Sequence, residues 1–291
     1  ANTSVRNFTL EKDDVSVNLV SGNLVSVYRN SLENSNFLVQ IMDTDKSQPV
    51  GGIGSGNRRI WITTDGATFD SGTPTGFNST GHLNRTFDPI CGYGYGVQTW
   101  RAGIFTLSGY KDTNSSDFSF NITSDLYVNI TDPLNTKVFI KGANHTFRGN
   151  VTDECLNLIT GATVNFRAQN TSAASSFACV AVADGVSGYY NCTFNTSTMN
   201  FGVHNLTMNA TRQYFNHSAN RTVQSAFVLT SKPILSSPSI TPNPNGWGNI
   251  THFNVTVIDE DNGPTFDNDQ VNVTLSKRLS GGGFTFVNST K

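Results

Sequence analysis

The strongest constraint on this chain is an alternation of period two near its middle. Ala162, Val164 and Phe166 alternate with Thr163, Asn165 and Arg167. As a strand, this segment puts its apolar side chains on one face and its polar ones on the other. The pattern returns at 205–211, where Leu206, Met208 and Ala210 interleave with Asn and Thr. Turn signals separate such segments, among them Thr152-Asp-Glu154, Thr160-Gly161 and Ala183-Asp-Gly-Val-Ser187. Asp-Gly between two apolar runs predicts a hairpin. A turn centred near Gly185 and Val186 sets Cys179 opposite Cys192. No segment carries a helical pattern.

Four cysteines allow several pairings. Cys179–Cys192 across the hairpin is the preferred one. The alternative joins Cys155 to either of them and clamps two strands of a sandwich. Cys91 then bridges to Cys155 between modules or stays free, or all four are buried thiols.

The fold class that follows is all-β, with tandem immunoglobulin-like β-sandwich domains. Residues 1–124 read as an N-terminal sandwich with strands at 15–20, 24–28, 37–42 and 59–63. Ser21-Gly22-Asn23 turns between the first two, Trp100 lies in the core, and Phe118, Phe120 and Ile122 close the module. Within it, 65–88 reads as a long polar interaction loop. The glycine-rich run 51–56 leads into a strand pattern where a phosphate cradle needs a helix. Residues 125–231 hold about seven short strands, as one such sandwich requires. The Pro/Ser-rich 232–246 reads as a stiff extended linker. Residues 247–291 read as a partial third domain with too few strands to close, so the chain is expected to continue or a neighbour to complete it.

The central stretch resembles the immunoglobulin-like repeats of archaeal cell-surface proteins. The matching residues are Val151-Thr-Asp-Glu-Cys155, Ile159-Thr-Gly-Ala-Thr-Val-Asn-Phe166, Tyr189-Tyr-Asn-Cys-Thr193 and Val203-His-Asn-Leu-Thr-Met-Asn-Ala-Thr211. The likeness covers about a hundred residues well and the flanks loosely. It implies a surface-layer or surface-filament protein, with the hook-bearing filaments called hami as one concrete form. It implies no enzyme.

Charged residues make up only 14% of the chain, and the net charge is −2. That balance offers nothing to nucleic acid or to an anionic membrane. The surface must be made polar another way, and the chain holds 34 Asn and 64 Ser plus Thr. The acceptor pattern Asn-x-Ser/Thr occurs at Asn2, Asn7, Asn78, Asn84, Asn114, Asn121, Asn129, Asn144, Asn150, Asn170, Asn191, Asn195, Asn205, Asn209, Asn216, Asn220, Asn249, Asn254, Asn272 and Asn288. Chance gives roughly seven such sites at this composition. Strand alternation favours Asn-apolar-Thr, but it does not select Asn, a poor strand former, over Lys, Glu or Gln. Dense N-glycosylation is expected, occupying many of these sites but not all, and it places the chain outside the cell. No apolar run reaches the length of a membrane span. The start at Ala1 without a leader reads as a processed chain or an excised piece.

Catalytic and zinc motifs are missing from the sequence, and the five histidines are scattered. No enzymatic activity and no cofactor are expected, with one exception to weigh. Asp259, Asp261, Asp267 and Asp269 share one stretch between two strand patterns. Hard oxygen ligands there suit Ca²⁺, although Asp also favours turns for local reasons. Asp43-Thr-Asp45 is a weaker copy. The leading expectation is a structural subunit of an archaeal extracellular filament or surface layer, whose partners are copies of itself and N-linked glycans. The alternatives are an adhesin that binds carbohydrate or another cell, with Tyr93 or Tyr95 as stacking platforms, and the non-catalytic part of a secreted hydrolase.

Overall fold

The computed structural model describes residues 10–29, 34–51, 58–75, 78–172, 175–183, 188–216, 219–246, 248–259, 273–278 and 284–290. These residues form strands and no helix. The first module holds β1 (Val15–Ser21), β2 (Ser26–Tyr28), β3 (Ser35–Asp43), β4 (Gln48–Pro49), β5 (Arg58–Ile62), β6 (Thr73–Pro74), β7 (His82–Phe87), β8 (Gly96–Ile104), β9 (Thr113–Asn114) and β10 (Phe118–Thr123). The second holds β11 (Tyr127–Asp132), β12 (Lys137–Ile140), β13 (Asn144–Thr152), β14 (Thr163–Asn170), β15 (Ser176–Val180), β16 (Val182–Ala183), β17 (Tyr189–Asn195), β18 (Gly202–Thr211) and β19 (Ala219–Thr230). Then come β20 (Pro233–Thr241), β21 (His252–Asp259), β22 (Val273–Arg278) and β23 (Phe284–Thr290).

The second module packs a sheet β11-β13-β17-β16 against a sheet β12-β19-β18-β14-β15. With β12 and β15 set aside, the other seven strands follow the immunoglobulin order, with first, second, fifth and fourth on one sheet and third, sixth and seventh on the other. The first module repeats the plan. There β3 pairs with β1 and β7, and the facing sheet runs β2-β10-β8-β5-β6. In both, a short early strand crosses over and lies parallel to the last one, β2 on β10 and β12 on β19. The chain is therefore a tandem of β-sandwiches.

Each core follows from the alternation. In β14, Val164, Phe166 and Ala168 face inward and meet Phe147, Leu206, Met208 and Phe227. In the first module Trp100 is fully buried among Phe37, Phe87 and Phe120, and its Nε1 donates to Gly22 O at 2.8 Å. Gly22 sits at φ +100°, and a Cβ there would lie 2.5 Å from the Phe37 ring. Gly149 fills a tight crossing in the second core, where a Cβ would meet Met208 Sδ at 2.4 Å and Asn129 O at 2.7 Å. The thioether can swing aside but the carbonyl cannot. Gly149→Ala is expected to lower stability by about 1–3 kcal/mol through overpacking, read as a lower denaturant midpoint with unchanged slope.

Three segments differ from the sequence reading. The loop assigned to 65–88 contains β7, which pairs along β3 from Ser35↔Phe87 to Gln40↔His82. Its inward positions are Leu83, Arg85 and Phe87. A buried arginine in the middle place breaks the apolar alternation that would have marked a strand. The linker assigned to 232–246 contains β20, an edge strand paired antiparallel to β21. Pro238 falls where the register shifts between Ser236 and Ser239, a place that asks no ladder hydrogen bond of it. Residues 231–232 alone separate β19 from β20.

The third difference is at the cysteine hairpin. β16 and β17 do pair, but the register is Val182↔Asn191 and Ala183↔Tyr190. Cys179 lies on β15, in the opposite sheet, against Phe166 of β14. The chain changes sheet at Ala181, so a bond from Cys179 to Cys192 ties two layers together. It does not close a hairpin.

Candidate functional site

The most built feature of the molecule is the joint between the first two sandwiches. Between β10 and β11 lie only Ser124, Asp125 and Leu126. Ser124 and Leu126 are buried, so this connector has no freedom of a linker. Ser124 N donates to Tyr214 O at 3.0 Å, and Asn216 N donates to Ser124 O at 3.0 Å. The turn after β18 thus grips the connector through the backbone.

Arg29 follows β2, and its own amide donates to Thr123 O at 2.9 Å. That bond aims its side chain out of the first module and into the second. The guanidinium is 3% exposed. Nη2 donates to Asp153 Oδ2 at 2.7 Å and to Ser124 Oγ at 2.9 Å, and Nη1 donates to Tyr93 O at 2.9 Å. Nε donates to Glu154 Oε1. Glu154 Oε2 in turn accepts from Ser124 Oγ at 2.6 Å and from Asp125 N at 3.0 Å. Asp153 Oδ1 accepts from the amides of Cys155 and Asn157 at 2.9 and 2.8 Å, which shapes the turn after β13. Tyr28 OH donates to Asp125. Burial, then that carboxylate, pushes the Tyr28 hydroxyl well above its ordinary value.

Two further contacts close the joint. Cys91 of the first module is bonded to Cys155 of the second, with their Cα atoms 5.7 Å apart. Tyr95 packs on Phe215 with ring centroids 4.8 Å apart. The Arg212 guanidinium lies over Tyr95, 5.2 Å from its centroid, while donating to Thr160 O. A buried ionic clasp, a covalent staple and an aromatic pair therefore act at one interface.

Burial pushes the Glu154 carboxyl up, but hydrogen bonds from Arg29, Ser124 and the Asp125 amide outweigh it and hold it below its ordinary 4.5. In the first module, burial raises Asp70, and Arg85, the Ile62 amide and Tyr93 bring it below its ordinary 3.8. A depressed carboxylate stabilises fully above its unfolded pKa and loses that stabilisation as pH falls through the folded one. Burial also lowers the pKa of His204, so the urea midpoint is expected to decline as pH falls through about 6.5, where the unfolded chain takes up that proton first, and to fall further below about pH 4.5 as the carboxylates protonate. A midpoint that rises on acidification contradicts these roles.

The sequence-predicted residues fare differently. Cys179 and Cys192 are bonded, with Cα atoms 6.4 Å apart. Tyr93 and Tyr95 are half-buried, each with part of its ring engaged in packing. Tyr93 stands edge-on to Phe87, with centroids 4.9 Å apart, and its hydroxyl donates to Asp70 at 2.8 Å. Asp259 ends β21, whereas Asp261, Asp267 and Asp269 lie outside the described residues, as does most of the glycine run 51–56. Among the described residues no three His, Cys, Asp or Glu side chains converge on a metal position. Asp43 serves its own turn, accepting from the amides of Asp45 and Lys46 at 3.1 and 3.0 Å. A cavity beside His204 measures about 50 Å³, well below the roughly 300 Å³ of a small-molecule site.

Of the acceptor asparagines, Asn78, Asn84, Asn114, Asn129, Asn144, Asn195, Asn209, Asn216, Asn220, Asn249 and Asn254 are exposed, and Asn121, Asn150, Asn191 and Asn205 are half-buried. Asn170 departs from the expectation. It is 4% exposed, and its Nδ2 donates to Phe201 O at 2.8 Å, leaving no room for a sugar. Asn2, Asn7 and Asn272 lie outside the described residues, and Asn288 lies on β23. The clasp residues Arg29, Asp153 and Glu154 carried no sequence signal beyond the turn at 152–154.

No protein-family model and no curated protein matches this chain. Solved structures similar to it include a tetra-tandem repeat from the extending region of a large adhesion protein, at 12% identity and TM-score 0.43, covering 95% of this chain and 73% of that one. Another is the Escherichia coli adhesin FdeC, at 14% identity and TM-score 0.40, covering 88% and 76%. A three-immunoglobulin-domain segment of titin matches at 10% identity and TM-score 0.40, covering 74% and 66%. At these scores the matches carry no argument of their own, and the tandem-sandwich assignment rests on the sheet topology.

Proposed function

We propose that this chain is a structural segment of an extracellular surface fibre or layer, non-enzymatic and N-glycosylated, whose sandwiches hold a set spacing and orientation. The observation that carries this reading is the locked joint. A tether needs only a flexible linker. A lattice or fibre needs successive modules at a reproducible angle, and three kinds of contact serve that end here. Exposed acceptor asparagines support a surface kept soluble by sugar in place of charge. Among the described residues no helix is long and apolar enough to cross a membrane. For the alternative of a carbohydrate-binding adhesin, Tyr93 and Tyr95 offer only half-exposed rings.

The test is electron microscopy of the native surface material, with antibody to this chain as the label. A fibre or lattice with a regular repeat, labelled along its length, is expected. Isolated chains without lateral or axial order would sink the assembly reading.

A further inference from the structure

The two sheets of the second module place acceptor asparagines directly opposite one another on neighbouring strands. Asn129 of β11 faces Asn150 of β13. Asn144 of β13 faces Asn195 of β17. Asn209 of β18 faces Asn220 of β19. Side chains paired in this way start about 5 Å apart, no wider than one hexose ring. We infer that each pair carries at most one N-linked glycan, and that the carriers are Asn129, Asn144 and Asn220. The inference rests on the reading of the chain as an N-glycosylated surface protein.

The choice within each pair follows from surroundings. Both hydrogens of Asn195 Nδ2 are committed, to Gly142 O at 3.1 Å and to Asn144 Oδ1 at 3.0 Å. Asn144 enters that bond through its oxygen and is exposed. Asn150 is half-buried, its Oδ1 shut away from solvent, while Asn129 is exposed. Asn209 has Asn165 of β14 on its other flank. Asn220 has an asparagine on one side only, because the pairing of β19 with β12 begins further along, at Phe227.

The chemistry sets the constraint. Attachment forms a bond from Nδ2 to the anomeric carbon of a glycosyl phosphate donor. It breaks the bond from that carbon to the phosphate oxygen, and the phosphate leaves with the proton that Nδ2 gives up. The substituted nitrogen keeps a single hydrogen. Asn195 would then lose one of its two bonds and drive the first sugar into Asn144. Whether sugar is added before or after folding, the folded ladder must accommodate it.

Site-resolved glycopeptide mass spectrometry of the protein from its native surface tests this. Summed occupancy within each pair is expected not to exceed one glycan per chain, with the named carrier at least tenfold above its partner. Asn144→Gln, made in the same host, is expected to raise occupancy at Asn195 several-fold by removing the crowding neighbour. Both members of a pair near full occupancy, or no response at Asn195, overturns the inference and leaves the glycoprotein reading intact. A chain bare at all exposed acceptor sites overturns both.

Discussion

Arg29→Met is expected to destabilise the tandem by about 3–5 kcal/mol, because it leaves Asp153 and Glu154 buried without their cation. Both carboxylates are almost fully enclosed, at 1% and 9% side-chain exposure. Water cannot replace the guanidinium without opening the joint. Equilibrium unfolding should therefore change in form as well as in midpoint. The two modules are expected to unfold less cooperatively than in the parent, since the ionic part of their coupling has gone while the staple and the aromatic pair remain. Small-angle scattering should show a broader range of inter-module distances. Adding Glu154→Gln is expected to recover part of the loss by removing the unpaired charge. Asp153 should be left in place, because its Oδ1 also holds the turn at Cys155 and Asn157. A loss under about 0.5 kcal/mol would mean that the clasp behaves as a solvent-screened surface pair.

Removing the staple by Cys91→Ser with Cys155→Ser should cost about 4 kcal/mol in the chain-entropy model, since the bond closes a separation of 64 residues. Cys179–Cys192, with a separation of 13, contributes about 3 kcal/mol on the same reckoning. The two losses should differ in kind. Cys179–Cys192 lies within one sandwich, so its removal weakens the second module's own core and leaves the contacts of the joint in place. Cys91–Cys155 links two sandwiches, so its removal lowers their coupling while each keeps its own core. Calorimetry of the two double variants should separate these effects. Equal transitions in the parent and the Cys91/Cys155 variant would show that the ionic and aromatic contacts hold the joint unaided.

Arg29 and Cys91–Cys155 act on the same joint, so their effects should not add. With the staple intact, loss of Arg29 leaves the modules tethered close together. With both removed, the pair Tyr95 and Phe215 remains with the backbone bonds of Ser124. A combined loss that departs from the sum of the two separate losses would measure this coupling directly.

What the sequence by itself determined is local. Alternation in 162–167 and 205–211 marks strands and names the faces that become core, because the side-chain period of a strand is two whatever it pairs with. Ser21-Gly22-Asn23 marks a turn for an equally local reason, the positive φ that glycine adopts without strain. What only the tertiary structure decided is which distant residues meet. Strand β7 was hidden because Arg85 is buried at an inward position, where it pairs with Asp70 at 2.7 Å. That pairing is invisible in the pattern of either segment. Strand β20 was hidden because prolines forbid a central strand yet are tolerated on an edge beside a register shift, and edges are defined only once the sheet exists. Cys179 and Cys192 meet because the chain changes sheet at Ala181, which a hairpin signal cannot report. The joint is the extreme case. Arg29 lies 124 residues from Asp153, and nothing near either residue specifies the other. A strand needs only its own periodicity, whereas a buried ion pair needs two modules folded and docked before either charge has a partner.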